Sequence, residues 1–110
     1  MNDITVQMQG FIESVKATEI YQEYERQKMK LRGYPDLKAR IDQFRQYNYE
    51  IQNNTAEDQL FDRMDAFQKE YESFREIPMV HDFLAAELAY CRMIQQINDV
   101  IYQEFMSDFE

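Results

Sequence analysis

The residue types most often recruited for metal binding, redox work and nucleophilic attack occur once each in this chain. His81 and Cys91 both lie in IPMVHDFLAAELAYCRMIQQI, residues 77–97. Ligands of one zinc ion each sit within about 2.3 Å of it. On a continuous helix, ten residues set the two side chains about 15 Å apart along the axis and roughly 80° apart around it. A joint site within one chain is therefore not expected, and only a site shared across an oligomer interface stays open. There is no CxxC, no HExxH and no second histidine to complete a ligand set. A nucleophilic Cys91 would need a neighbouring base, and the sequence names none. Cys91 reads instead as a small buried hydrophobe. His81 falls in the first turn of its helix, where positive charge is disfavoured, and reads as a surface residue.

Other chemistries fare no better. Glycine-rich phosphate loops, a Ser/His/Asp set and paired carboxylates in a defined pocket are absent from the sequence. A di-iron bundle needs Glu-x-x-His pairs that one histidine cannot supply. The acids Glu23, Glu25, Asp62, Asp65, Glu70 and Glu72 fall on outward helix faces, the pattern of a solvated surface. No catalytic, cofactor-binding or metal residue is assigned, so neither an enzyme nor a small-molecule substrate is expected. Acids outnumber bases 21 to 12, giving a net charge of −9, which opposes direct contact with nucleic acid or with anionic membranes. No apolar run approaches the about 18 residues of a membrane span, and the N-terminus lacks a signal-peptide pattern. A single cysteine excludes an intrachain disulfide and fits a cytoplasmic setting.

The elements that carry these residues are helical. Over 110 residues there are only two glycines and two prolines, too little turn chemistry for a sheet, while good helix formers abound. An apolar content of 45% supports a folded single domain over residues 1–110. The periodicity predicts a five-helix antiparallel bundle, with approximate helices at 3–16, 18–32, 35–52, 55–76 and 78–108. Ile4, Met8, Phe11, Ile12 and Val15 form the first stripe. Thr18 can cap the second helix, whose stripe is Ile20, Tyr24, (Gln27) and Leu31 before Gly33 ends it. Pro35 opens the third helix, with Leu37, Ile41, Phe44, Tyr47 and Ile51 on one side. Gln52-Asn53-Asn54-Thr55 reads as a loop, and Glu57 and Asp58 stand three residues after Asn54 and Thr55 as capping boxes. Leu60, Met64, Phe67, Tyr71 and Phe74 form the fourth stripe, a short coiled-coil-like seam. Arg32-Gly33-Tyr34-Pro35 is echoed by Arg75-Glu76-Ile77-Pro78, which two antiparallel hairpins explain without internal duplication.

The last helix, opened by Pro78, would be roughly 45 Å long, more than a compact domain of this size spans. An overhanging helix tends to find a partner, so an oligomer is expected, a homodimer or higher. Its 4-3 line reads Val80, Leu84, Glu87, Cys91, Ile94, Asn98, Ile101 and Phe105, with Phe83 and Tyr90 alongside; these make the assembly candidates. Glu87 on that apolar line either reaches water at the edge or pairs with an arginine, Arg45 being the first choice because it adjoins Phe44. Tyr34, Tyr47, Tyr49, Tyr90 and Tyr102, together with seven methionines, are read either as protein-contacting surface or as shields at the core edge.

Val80-His81-Asp82-Phe83-Leu84-Ala85-Ala86-Glu87, continued by Ile94, Ile97 and Ile101, resembles the long last helix of the YlbF/YmcA family of small helical bacterial regulatory proteins. Thr18-x-x-Tyr21-x-x-Tyr24 leading to Leu31, and Ile41-x-x-Phe44-Arg45, resemble that family's middle helices, so the likeness covers about residues 3 to 105. The resemblance implies a cytoplasmic, non-enzymatic adaptor that joins itself or related helical proteins. It also implies influence on competence, sporulation, biofilm formation and mRNA processing through a membrane-anchored endoribonuclease. Some members carry extra cysteines, several in a C-terminal tail, that hold an iron–sulfur cluster. Here the sequence ends at Phe109-Glu110 with Cys91 alone, inside the helix, so that role is not carried over. The alternative function is a helical chaperone or sequestering protein that grips a client peptide in an apolar groove.

Overall fold

The computed structural model describes residues 3–109, and every regular element among them is helical. The helices are α1 (Asp3–Lys16), α2 (Glu19–Leu31), α3 (Pro35–Asn54), α4 (Glu57–Glu70), α5 (Glu72–Glu76) and α6 (Pro78–Phe105), followed by a 3-10 turn at Ser107–Phe109.

Thr18 separates the first two helices. Its hydroxyl donates to the Val15 carbonyl at 2.7 Å and accepts from the Tyr21 amide at 3.1 Å, so one side chain satisfies groups at the end of α1 and the start of α2. The stop after α2 has a different cause from the one its sequence suggests. Gly33 does not adopt the left-handed conformation of a C-cap glycine. Pro35 supplies the break: it occupies the first position of α3, and the preceding Tyr34 takes an extended φ of −136°.

Two further local expectations are corrected. Helix α3 continues through the polar run to Asn54, leaving only Thr55 and Ala56 between helices. The capping boxes do not form, because Ala56 is the N-cap of α4 with no side-chain bond. The Asn53 amide instead donates back to the Tyr49 carbonyl at 2.8 Å, a helical partner one turn earlier. The helix expected over 55–76 is interrupted at Tyr71, whose φ of −100° and ψ of 9° lie in the sparsely allowed bridge region. That interruption makes six helices among the described residues where five were expected.

The chain divides into two compact units, Met1–Gln27 with Phe83–Glu110, and Lys28–Asp82. The second has the denser interior. Leu31, Ile41, Ile51, Phe67, Phe74 and Val80 are all buried, Ile41 and Val80 completely. Rings extend this core: Phe44 stacks on Phe67 at 5.1 Å, Tyr47 on Phe67 at 5.3 Å, and Tyr71 meets Phe44 edge-on at 5.2 Å. The Arg40 guanidinium covers the Phe74 ring at 4.7 Å. Burying one such Ile or Phe side chain stabilises by about 1.5–3 kcal/mol, so these contacts dominate the unit's stability. Phe61 lies off this stripe of α4 and is 81% exposed.

In the first unit the interior is thin. Phe83, Ala86 and Gln27 are buried, and α1 contributes no buried residue. The Gln27 amide donates to the Glu23 carboxylate at 2.7 Å. Tyr24 stacks on Tyr90 with centroids 4.6 Å apart and planes 12° apart, while Tyr21 and Phe83 each approach that pair at 6.0 Å. The Thr18 hydroxyl also approaches the Met93 sulfur at 3.7 Å.

Candidate interaction surface

In the first unit the inward face of α6 is set by Phe83 and Ala86, which are buried, then by Tyr90, Met93, Ile94 and Ile97, which are half-buried. Beyond Ile97 the apolar side chains lose their cover. Val100, Ile101, Tyr102 and Phe105 are exposed, Phe105 by 71%. Helix α1 repeats the pattern, since its stripe forms as the periodicity predicts but Ile4, Met8, Phe11 and Ile12 remain 41–57% exposed. An open groove of ≈ 390 Å³ runs along this region, lined by Phe11, Met93, Gln96, Ile97, Val100 and Ile101. Gln96 supplies its only amide side chain; the rest of the lining is apolar.

Charge is depleted along the same surface. Residues 4–12, ITVQMQGFI, carry none, and residues 93–103, MIQQINDVIYQ, carry only Asp99, in a chain that is 30% charged. Apolar area with charge withdrawn from its centre is the composition of an interface core rather than of a solvated face.

The assembly candidates named from the sequence are distributed over several environments. Val80 and Phe83 are buried, Leu84, Glu87, Tyr90 and Ile94 are half-buried, and Cys91, Ile101 and Phe105 are exposed. Exposure of Cys91 corrects the expectation of a buried small hydrophobe. The line Val80-Leu84-Glu87-Cys91 is rotated from the face that α6 turns inward through Phe83, Ala86 and Tyr90, and the rotation leaves Cys91 outside. Phe11, Ile97 and Val100, and the α1 stripe as contact surface, were not among the candidates. The uncharged run 4–12 is the signal that points to Phe11 and the α1 stripe, and the charge-poor run 93–103 the one that points to Ile97 and Val100.

His81 is exposed, with Nδ1 3.4 Å from Asp82, and stands with Cys91 on the uninterrupted helix α6. Among the described residues no three His, Cys, Asp or Glu side chains converge as a metal site would require. Glu87 belongs to the first unit; Arg45 belongs to the second, where its guanidinium donates to Asp42 at 2.6 Å. Lys38 reaches the other oxygen of Asp42 at 3.1 Å. Hydrogen bonds from Arg45, then from Lys38, hold the Asp42 carboxyl below the usual carboxylate range. Of the tyrosines read either as contact surface or as shields at the core edge, Tyr34, Tyr47, Tyr49 and Tyr102 are exposed, while Tyr90 is half-buried and stacked on Tyr24. No helix among the described residues is long and apolar enough to cross a membrane.

No curated protein and no solved structure matches the chain. A family model does: control of competence regulator ComK, YlbF/YmcA, which aligns with residues 4–105. That match starts within α1 and runs to the last residue of α6, so it takes in both faces of the candidate surface. By that match the chain belongs to the YlbF/YmcA family of regulatory proteins.

Proposed function

We propose that this protein is a cytoplasmic, non-enzymatic adaptor that regulates by assembling with itself and with related helical proteins. The observation that carries the reading is the exposed, charge-poor apolar surface on α1 and the end of α6. A chain that leaves Phe105 and the α1 stripe in water while burying Ile41 and Val80 completely has apolar area to spare for a partner. The family description supports a regulatory role in the control of competence, and sporulation, biofilm formation and mRNA processing are the related processes in which such an adaptor would act. A net charge of −9 supports action on RNA through a protein rather than by contact with phosphates.

Affinity purification from the native host, read by mass spectrometry, tests this. The expected result is a few defined partners at fixed stoichiometry. Capture of many unfolded polypeptides instead would replace the adaptor with a chaperone, and stoichiometric metal in the purified protein would overturn the non-enzymatic reading.

A further inference from the structure

Within this protein-contact reading, we infer that the groove beside α6 receives Phe105 from a second copy of the same chain, in an antiparallel pairing of two α6 helices about a two-fold axis at Ile101. Ile97, Ile101 and Phe105 are spaced four residues apart and form one ridge of the helix. Ile97 and Phe105 are equidistant from Ile101, at about 6 Å of axial rise. A two-fold axis at Ile101 therefore sets Phe105 of each copy against Ile97 of the other, in the groove that Phe11 and Val100 also line. Such an interface is self-complementary: the exposed ring is the knob, the groove is the hole, and both are present on every copy.

Area and charge both favour a second copy as the occupant. The exposed apolar side chains are Ile4, Met8, Phe11 and Ile12 on α1, with Val100, Ile101, Phe105 and Met106 at the other end of the chain. At about half exposure and roughly 200 Å² per large side chain, they leave on the order of 800 Å². That is about what each partner of a stable complex contributes. A basic partner would be met by acids on this face. A second copy of a chain with net charge −9 requires instead that acids be kept off it. Asp99 points roughly opposite Ile101 around the helix, and Glu104 flanks the ridge at its rim.

Size-exclusion chromatography with light scattering on the full chain, across a dilution series, tests the pairing. The expected mass at high concentration is twice 13.4 kDa. Phe105→Glu and Ile101→Glu each raise the dissociation constant by about tenfold or more. Their helical far-UV spectra persist, because both side chains are already exposed. In a Cys91→Ala background, Ile101→Cys forms a disulfide-linked dimer under mild oxidation and Asp99→Cys does not. A wild-type chain that is monomeric throughout, or equal cross-linking at the two positions, overturns the pairing. A monomer that still retains defined host partners sinks the pairing alone and leaves the adaptor reading standing.

Discussion

The two compact units use similar side chains to opposite ends. In Lys28–Asp82 the rings of Phe44, Phe67, Tyr71 and Phe74 close on one another, and Ile41 and Ile51 are buried. In the unit formed by both ends of the chain, one Tyr24–Tyr90 stack and a buried Phe83 make up most of the interior, while Phe11, Val100 and Phe105 face water. The difference teaches that apolar content does not report core size. One unit spends its aromatic residues on its own interior, and the other leaves several of them in water.

Four substitutions measure that contrast. The largest effect is expected from Phe67→Ala, at the centre of the ring cluster, which costs about 3–5 kcal/mol in chemical denaturation. A loss below about 1 kcal/mol would mean that the ring cluster is not the stabilising core proposed for it. Thr18→Ala removes the hydroxyl that closes α1 and caps α2, and it lowers the unfolding free energy by about 1 kcal/mol. Met8→Ala, on the exposed stripe of α1, changes the stability of the monomer by less than about 0.5 kcal/mol while weakening self-association. A larger loss in the monomer would show that the stripe already serves the fold.

The smallest effect concerns Asp42, which is exposed enough that solvent screens its ion pairs to a few tenths of a kcal/mol. Its carboxyl pKa is depressed in the folded chain, so the contribution is present above the ordinary carboxylate value, about pH 4. It is lost as pH falls through the lower folded-state value. Stability of the wild type and of Asp42→Asn should therefore differ slightly at neutral pH and converge in acid, as thermal melts across that range would show.

Much of this fold is legible in the sequence because a few residues punctuate it without ambiguity. Thr18, Pro35 and Pro78 fix three helix starts by side-chain capping or by a missing amide, effects that need no tertiary context. Asn54 and Thr55 mislead because polar side chains near a helix end can bond backward as well as forward, as Asn53 does. The exposed apolar face is harder to read. Helix α6 carries apolar residues on more than one side, so a 4-3 line through Cys91 scores as well as the inward face through Phe83 and Tyr90. Periodicity finds stripes; it does not say which stripe the chain covers with itself.

No described residue has a left-handed backbone, and that includes both glycines. A Cβ at Gly10 would meet nothing within 4 Å, and one at Gly33 only the Lys30 carbonyl at an ordinary 3.7 Å. Neither position therefore needs glycine to reach the native state, and each enlarges the number of conformations open to the unfolded chain. Alanine at either site would narrow that ensemble and raise stability by about 0.4–1 kcal/mol without adding a contact. The protein carries two points of avoidable entropy, and its stability can be increased without altering any of its exposed apolar side chains.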